Sequence, residues 1–341
     1  GLGLAIGTVA AAFVLRAWWR RGGFLFGALF GLAAGLIAAF GIFVSSFLLF
    51  CVGCFTAGHY GSYLQSYRFA AADAAEGALK ARAISWVMVG GLIAAVIGPQ
   101  LVIWTRDSFP GTPYVGSFLS QAALPLLSIP ILLMLRTPQS ASQSASESSG
   151  RSLIQILMMP RYMLAVAAGV VSYGLMAFVM TAAPIAMVNT GHSVDSAALG
   201  IQWHLLAMFA PSFVTGRLMT RFGKERVTAA GMLLIAVSAI VALAGLELIN
   251  FWGSLAIMGI GWNFSFIGAT AMVTDCHTPG ERAKAQGAND FMVFGTTAAV
   301  SFLAGSVLHN SGWAAINWLL FPPVALILVP LLWQAARKPQ A

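Results

Sequence analysis

Apolar runs recur along the chain, separated by short polar breaks. Eleven are read as spans: 2–15, 23–41, 43–67, 83–104, 114–135, 162–188, 197–215, 227–246, 251–273, 291–308 and 313–333. Many reach the ~18–20 residues that carry a helix through a bilayer. The residue-by-residue alternation of a barrel strand is absent, and in lipid only helices and closed barrels satisfy their own backbones. The pattern therefore predicts an all-α membrane protein. The first run is too short to cross by itself. The chain opens at Gly1 inside it, with no charged leader region or cleavage site in view, so a further helix is expected ahead of Gly1.

Composition and charge agree with that threading. The chain is 59% apolar and only 8% charged, with a mean hydropathy of +0.85, whereas a soluble domain carries about a quarter charged residues. Threading the spans back and forth places Arg16, Arg20, Arg21, Arg68, Lys80, Arg82, Arg136, Arg151, Arg161, Arg217, Arg221, Lys224, Arg226, Arg282, Lys284, Arg337 and Lys338 on one side. Arg106 alone falls on the other, so 17 of the 18 basic residues share a face. Basic residues near span ends stay in the cytoplasm, which puts that face and the C-terminus there. The net charge of +8 is thereby explained without a nucleic-acid partner.

The longest polar break, 137–152, reads TPQSASQSASESSGRS. It is too polar to bury a core and reads as a flexible linker. The expected organisation is an N-terminal bundle over 1–136, a cytoplasmic Ser-rich linker over 137–158 and a C-terminal six-helix bundle over 159–341. With the expected leading helix the plan is six plus six.

The stretch 216–226, GRLMTRFGKER, reads as a tight cationic turn between two spans. It resembles the signature loop of the major facilitator superfamily: Gly216, Arg221, Gly223 and Lys224 match, while Thr220 stands where the family has Asp. Gly98 and Pro99, preceded by Gly90 and Gly91, resemble the family's Gly-Pro helix motif without its trailing glycines. A weaker echo of the signature loop, Leu15 to Gly23, sits at the corresponding place in the first half. The stretches 67–73, 202–204, 210–213 and 261–264 resemble a proteobacterial subgroup associated with riboflavin uptake. The resemblance implies two six-helix bundles with pseudo-two-fold symmetry in a bacterial inner membrane. It implies a chain that acts as a monomer and moves a small organic solute by alternating access, with Gly216, Arg221, Gly223, Lys224, Gly98 and Pro99 serving conformational change. Efflux of drugs or metabolites is the alternative within transport; a sensor or assembly factor that moves nothing is the alternative outside it.

Polar residues at membrane depth are costly and are functional candidates by default. Gln202, Trp203 and His204 fall in the seventh span, His59 and Tyr63 in the third, Tyr173 in the sixth, Trp262 and Asn263 in the ninth. A planar, hydrogen-bonding solute would suit this set, with indole for stacking and amide for directional bonds. His204 can donate and accept, and its ordinary pKa suits proton handling; the plainer reading is a tie to a neighbouring helix. Asp290, read as opening the tenth span, is the second candidate for proton coupling. Its plainer readings are the helix dipole or a pair with Arg282 or Lys284. Asp195 is expected to cap the seventh span. Cys51 and Cys54 have redox-motif spacing but lie within an apolar run; with Cys276 they imply no disulfide framework. No phosphate-binding loop, nucleophile elbow or metal-ligand cluster is present in the sequence, so neither an enzyme, a cofactor nor a metal is expected.

Overall fold

A computed structural model describes residues 19–73, 78–134 and 150–337, with scattered positions before Trp19; side chains of 68–86 lie mostly outside the description. The predicted span 2–15 and most of the Ser-rich stretch fall largely outside the described residues. Twelve α-helices are described: α1 Trp19–Phe43, α2 Phe47–Asp73, α3 Ala78–Thr105, α4 Val115–Met134, α5 Leu153–Leu157, α6 Pro160–Asn189, α7 Val194–Phe209, α8 Ser212–Phe222, α9 Lys224–Leu243, α10 Leu248–Thr274, α11 Arg282–Trp318 and α12 Phe321–Arg337. The chain divides into two units, Gly1–Ala145 and Ser146–Ala341. Among the described residues no strand occurs. Among the described residues seven segments are long and apolar enough to cross a membrane, and the bent pair α7–α8 makes an eighth. The last of the seven, Lys284–Ala336, has 53 residues, over twice what a crossing needs. Gly312 divides it, with φ 78° and ψ −179°, where the sequence predicts the break between the tenth and eleventh spans.

In the first unit α1 packs on α2 and α4. Glycines one turn apart on α1 permit this. A Cβ on Gly31 would lie 2.8 Å from the Pro125 ring, and one on Gly35 2.7 Å from the Phe118 carbonyl. Small residues at such crossings let helix backbones meet in lipid.

The second unit holds one continuous core built on α6, α9, α10, α11 and α12, with Val179, Met187, Met232, Ile235, Leu255, Met258 and Leu331 fully buried or nearly so. The helix ends follow local chemistry. Pro160 occupies the first turn of α6, where its missing N–H costs nothing. Gly191, at φ 93°, ends α6 while the His192 amide reaches back to Met187 at 3.0 Å, a left-handed glycine stop. The cap of α7 is Ser193, whose hydroxyl accepts from the Ser196 amide at 3.0 Å. The capping expectation for Asp195 is therefore corrected: Asp195 sits inside the first turn, where the dipole favours an acid.

Three further expectations change. The seventh span is not one rod: it breaks at Ala210–Pro211 with a 42° bend, because Pro211 has no N–H to continue the ladder. Its second arm runs on to Phe222, so 216–226 is not a turn. Arg217 and Arg221 are helical, and the reversal is confined to Gly223 at φ 89°, ψ 152°, a conformation open to glycine. Finally, α11 begins at Arg282. Asp290 is thus the ninth residue of that helix, beyond the first turn in which a dipole acts.

Candidate functional site

In the second unit α6, α10 and α11 bring four aromatic rings together. Trp262 and Phe266, one helical turn apart on α10 and so on one face, stack with centroids 5.0 Å apart and planes 20° apart. Tyr173 from α6 stands edge-on to Trp262 at 5.6 Å, to Phe266 at 5.1 Å and to Phe294 of α11 at 5.4 Å. Edge-to-face and offset stacks are the favoured aromatic geometries. Neighbouring residues set the register: the Ser172 and Ser265 hydroxyls meet at 2.6 Å between α6 and α10. The Trp262 indole Nε1 is buried with no hydrogen-bond partner. The cluster thus gathers aromatic faces and one buried donor without a partner.

Asn263, fully buried, is engaged on every side. Its amide nitrogen donates to the Met208 carbonyl and the Ser212 hydroxyl, both at 2.7 Å, and its amide oxygen lies 2.5 Å from the Thr215 hydroxyl. His204 is 1% exposed, and its Nδ1 lies 2.8 Å from the Leu255 carbonyl. A carbonyl only accepts, so Nδ1 carries the hydrogen. Nε2 is buried with no hydrogen-bond partner. The histidine ties α7 to α10, as the plainer reading of the sequence has it. Trp203 behaves differently: it is 46% exposed, pointing away from the interior that His204 enters. Gln202 is half-buried beside it.

The first unit carries its own aromatic group. His59 lies 4.6 Å from Phe30 and 5.7 Å from Tyr63, and Phe26 completes it at 6.3 Å from Tyr63. Tyr63 is fully buried and its hydroxyl has no hydrogen-bond partner. Pro99 lies within α3 without ending it, and a Cβ on Gly98 would meet nothing within 4 Å.

At the end of the second unit where α6, α9 and α11 begin, ions take over. Lys224 reaches Asp275 at 2.5 Å and the Ala271 carbonyl at 3.2 Å. Arg161 bridges Asp275 at 3.1 Å and Glu225 at 3.3 Å. Arg221 instead lies over the Phe222 ring at 5.1 Å, and Gly216 is exposed with open space around it. A second pair stands beside this group. The Arg151 side chain donates to Glu281 at 2.9 and 2.7 Å, and its backbone amide does so at 2.8 Å. The Thr278 amide adds a bond at 3.0 Å. The Arg151 guanidinium, then these backbone donors, hold the Glu281 carboxyl far below the usual carboxylate range. This pair fastens the end of the Ser-rich stretch to the unit, together with α5, whose capping box of Ser152 and Gln155 starts it and whose Ile156 is buried in the core. The Asp290 carboxylate accepts from its neighbour Asn289 at 3.0 Å. Asp275, Glu281 and Arg151 escaped the sequence reading as partners. Among the described residues no cluster of histidine, cysteine and acid has metal-binding geometry.

The sequence pattern of the Major Facilitator Superfamily matches residues 164–341. The chain is 66% identical to the riboflavin transporter RfnT of Brucella anthropi over 338 residues, 99% of this chain and 85% of that protein. It is 28% identical to the uncharacterized MFS-type transporter YdeG of Bacillus subtilis over 97% of this chain and 82% of that one. Among solved structures, a D-xylose-proton symporter superposes with a TM-score of 0.73 at 16% identity, covering 99% of this chain and 85% of that one. The E. coli fucose:proton symporter does so at 0.62 and 17%, covering 100% and 89%.

Proposed function

This chain belongs to the Major Facilitator Superfamily as a multi-pass membrane protein, and from that premise we propose that it imports riboflavin or a close flavin relative. The observation that carries the reading is the 66% identity to a riboflavin transporter over nearly the whole chain. The aromatic cluster supports it: Tyr173, Trp262, Phe266 and Phe294 offer stacking faces suited to a flat tricyclic ring, and the Trp262 N–H offers a donor.

In this reading Tyr173 and Trp262 contact the solute in the second unit, and His59 and Tyr63 do so in the first. Trp203 and Gln202 lie on the exposed side of α7 and serve at the rim. Asn263 and His204 belong to the frame that positions the cluster, since their hydrogen bonds go to Met208, Ser212, Thr215 and Leu255. Asp290, half-buried within α11, is the candidate for proton coupling. The cationic end with Gly216, Arg221, Gly223 and Lys224, together with Gly98 and Pro99, serves the conformational change of alternating access. The linker over 137–158 joins the bundles 1–136 and 159–341 on the cytoplasmic side of a bacterial inner membrane, where the C-terminus also lies. The protein acts as a monomer, without catalysis and without a nucleic-acid partner.

Flavin fluorescence tests this directly. Purified full chain should quench it saturably and should load proteoliposomes with riboflavin. Absence of both, with another solute class raising the melting temperature as a bound ligand does, would overturn the assignment.

A further inference from the structure

The break between α7 and α8 is held from outside by one residue. Pro211 cannot donate to the helical ladder, and beyond it the amides of Val214 and Thr215 turn to Pro211 instead, both at 2.9 Å. In an unbroken helix the Met208 carbonyl would take the Ser212 amide; at this break its donor comes from outside the ladder, and a carbonyl inside a membrane needs one. Asn263 of α10 supplies it at 2.7 Å. The second hydrogen of the same amide group goes to the Ser212 hydroxyl, on the far side of the break, at 2.7 Å. The Met208 carbonyl can only accept, and this fixes which end of the amide faces the break. Its oxygen faces the Thr215 hydroxyl, whose single hydrogen is shared between Asn263 at 2.5 Å and the Pro211 carbonyl at 2.8 Å. One side chain therefore grips the last turn of one arm and the first turn of the other. Gly259, one turn earlier on α10, lets the backbones come close enough: a Cβ there would sit 2.5 Å from the His204 carbonyl.

We propose that Asn263 is a positioning residue for transport. It sets the angle between α7 and α8, and so the placement of the arm that carries Arg217 and Arg221 up to the Gly223 pivot. The bend itself stands on the geometry alone. A second step rests on the solute reading above. Trp262 precedes Asn263 in the chain and its ring lies in the aromatic cluster, so a solute that displaces Trp262 also moves the clamp. Occupancy at the cluster is then passed to the cationic arm through the break.

The test uses the full chain with Cys51, Cys54 and Cys276 replaced and spin labels at V194C and T220C, one on each arm. In the parent the label distances form a narrow distribution. In N263L, which keeps the volume and loses the donors, they broaden. Flavin affinity stays within about threefold while the uptake rate falls by more than about tenfold, the split expected when binding is intact and a later step fails. Adding P211A restores the ladder N–H, and in the double variant the distribution narrows again while uptake stays low. The proposal is overturned if N263L leaves the distances unchanged, if its uptake equals the parent's, or if affinity and uptake fall together. Should N263L not reach the membrane, S212A, which removes the acceptor on the far arm, carries the same comparisons. If the parent binds no flavin, the solute reading falls, and the label distances alone decide the clamp.

Discussion

Two levels of the second unit are held by different chemistry. Where α9 begins, the joints are ionic: Arg161, Lys224 and Asp275 are each about a third exposed, at 39%, 33% and 33%. In the middle of the bundle they are neutral and drier: Ser172 to Ser265 and His204 to Leu255, all at 0–1% exposure, and the fully buried Asn263 to the half-buried Met208 and Ser212 on the two arms of a broken helix. Bond for bond the two levels are comparable. An exposed ion pair contributes about 0–1 kcal/mol, and interhelical hydrogen bonds in membrane proteins average about 0.6 kcal/mol. What differs is the cost of parting. In the dry middle a separated partner is stranded, at about 1–3 kcal/mol. At the end water re-solvates it. Under the proposed function, a joint that opens and closes every cycle belongs where parting is cheap, and a frame that holds a binding cluster belongs where it is not.

The largest effect comes from breaking the dry level. A side chain on Gly231 would overlap the Ser265 backbone nitrogen and lie 2.6 Å from the Gly261 carbonyl. Gly231→Leu therefore forces α9 off α10 and should abolish folded protein, read as loss of a monodisperse peak and of any melting transition. Trp262→Ala spares the backbone and removes the stacked ring. A stacking contact is worth about 1–3 kcal/mol, so flavin affinity should fall roughly 5–150-fold with the melting temperature lowered less than in the glycine variant. An unchanged affinity would remove Trp262 from the site.

The dry level was half legible in the sequence. His204, Asn263, Trp262 and Tyr173 stand out as polar or aromatic residues at membrane depth, and all four are in the interior of one unit. Their jobs were less legible. The partner of His204 is a backbone carbonyl, which no residue type announces. The role of Asn263 follows only once Pro211 is seen to break its helix rather than kink it. The ionic level was misread for another reason. A dense run of charge suggests a turn, yet arginine is a good helix former and nothing stops α8 before Gly223. Asp275 lies 51 residues from Lys224, and Glu281 130 from Arg151. Pairing over such distances is set by how helices are threaded, not by local pattern.

Glu281 sharpens the comparison because it belongs to both levels: it is 2% exposed, yet its partner Arg151 is 41% exposed. Glu281→Gln should lower the melting temperature by a few degrees. The sign with pH is fixed by the depressed carboxyl. The stabilisation is fully present well above the ordinary glutamate pKa of about 4.3 and is lost progressively as pH falls through that value toward the lower folded one. The gap between parent and variant should thus stay constant from about pH 7 to about pH 5.5 and shrink progressively below that. A gap that already closed between neutrality and about pH 5.5 would show that Arg151 does not hold the carboxylate ionised.

Asp275→Asn should give the smallest effect, although it removes the acid shared by two cations. Both pairs are a third exposed, so screening limits their worth to under about 1 kcal/mol in total. Arg161 keeps Glu225 at 3.3 Å and Lys224 keeps the Ala271 carbonyl at 3.2 Å, so neither cation is stranded. The melting temperature should fall by no more than a degree or two. The difference should fade in about 1 M salt, where the Debye length is about 3 Å. Uptake is the more sensitive readout, since loosening this joint alters how readily the end opens without touching the aromatic cluster; the rate should change while flavin affinity does not. A loss as large as that of Trp262→Ala, indifferent to salt, would mean that this end is as dry and fixed as the middle, and the division of labour between the two levels would not hold.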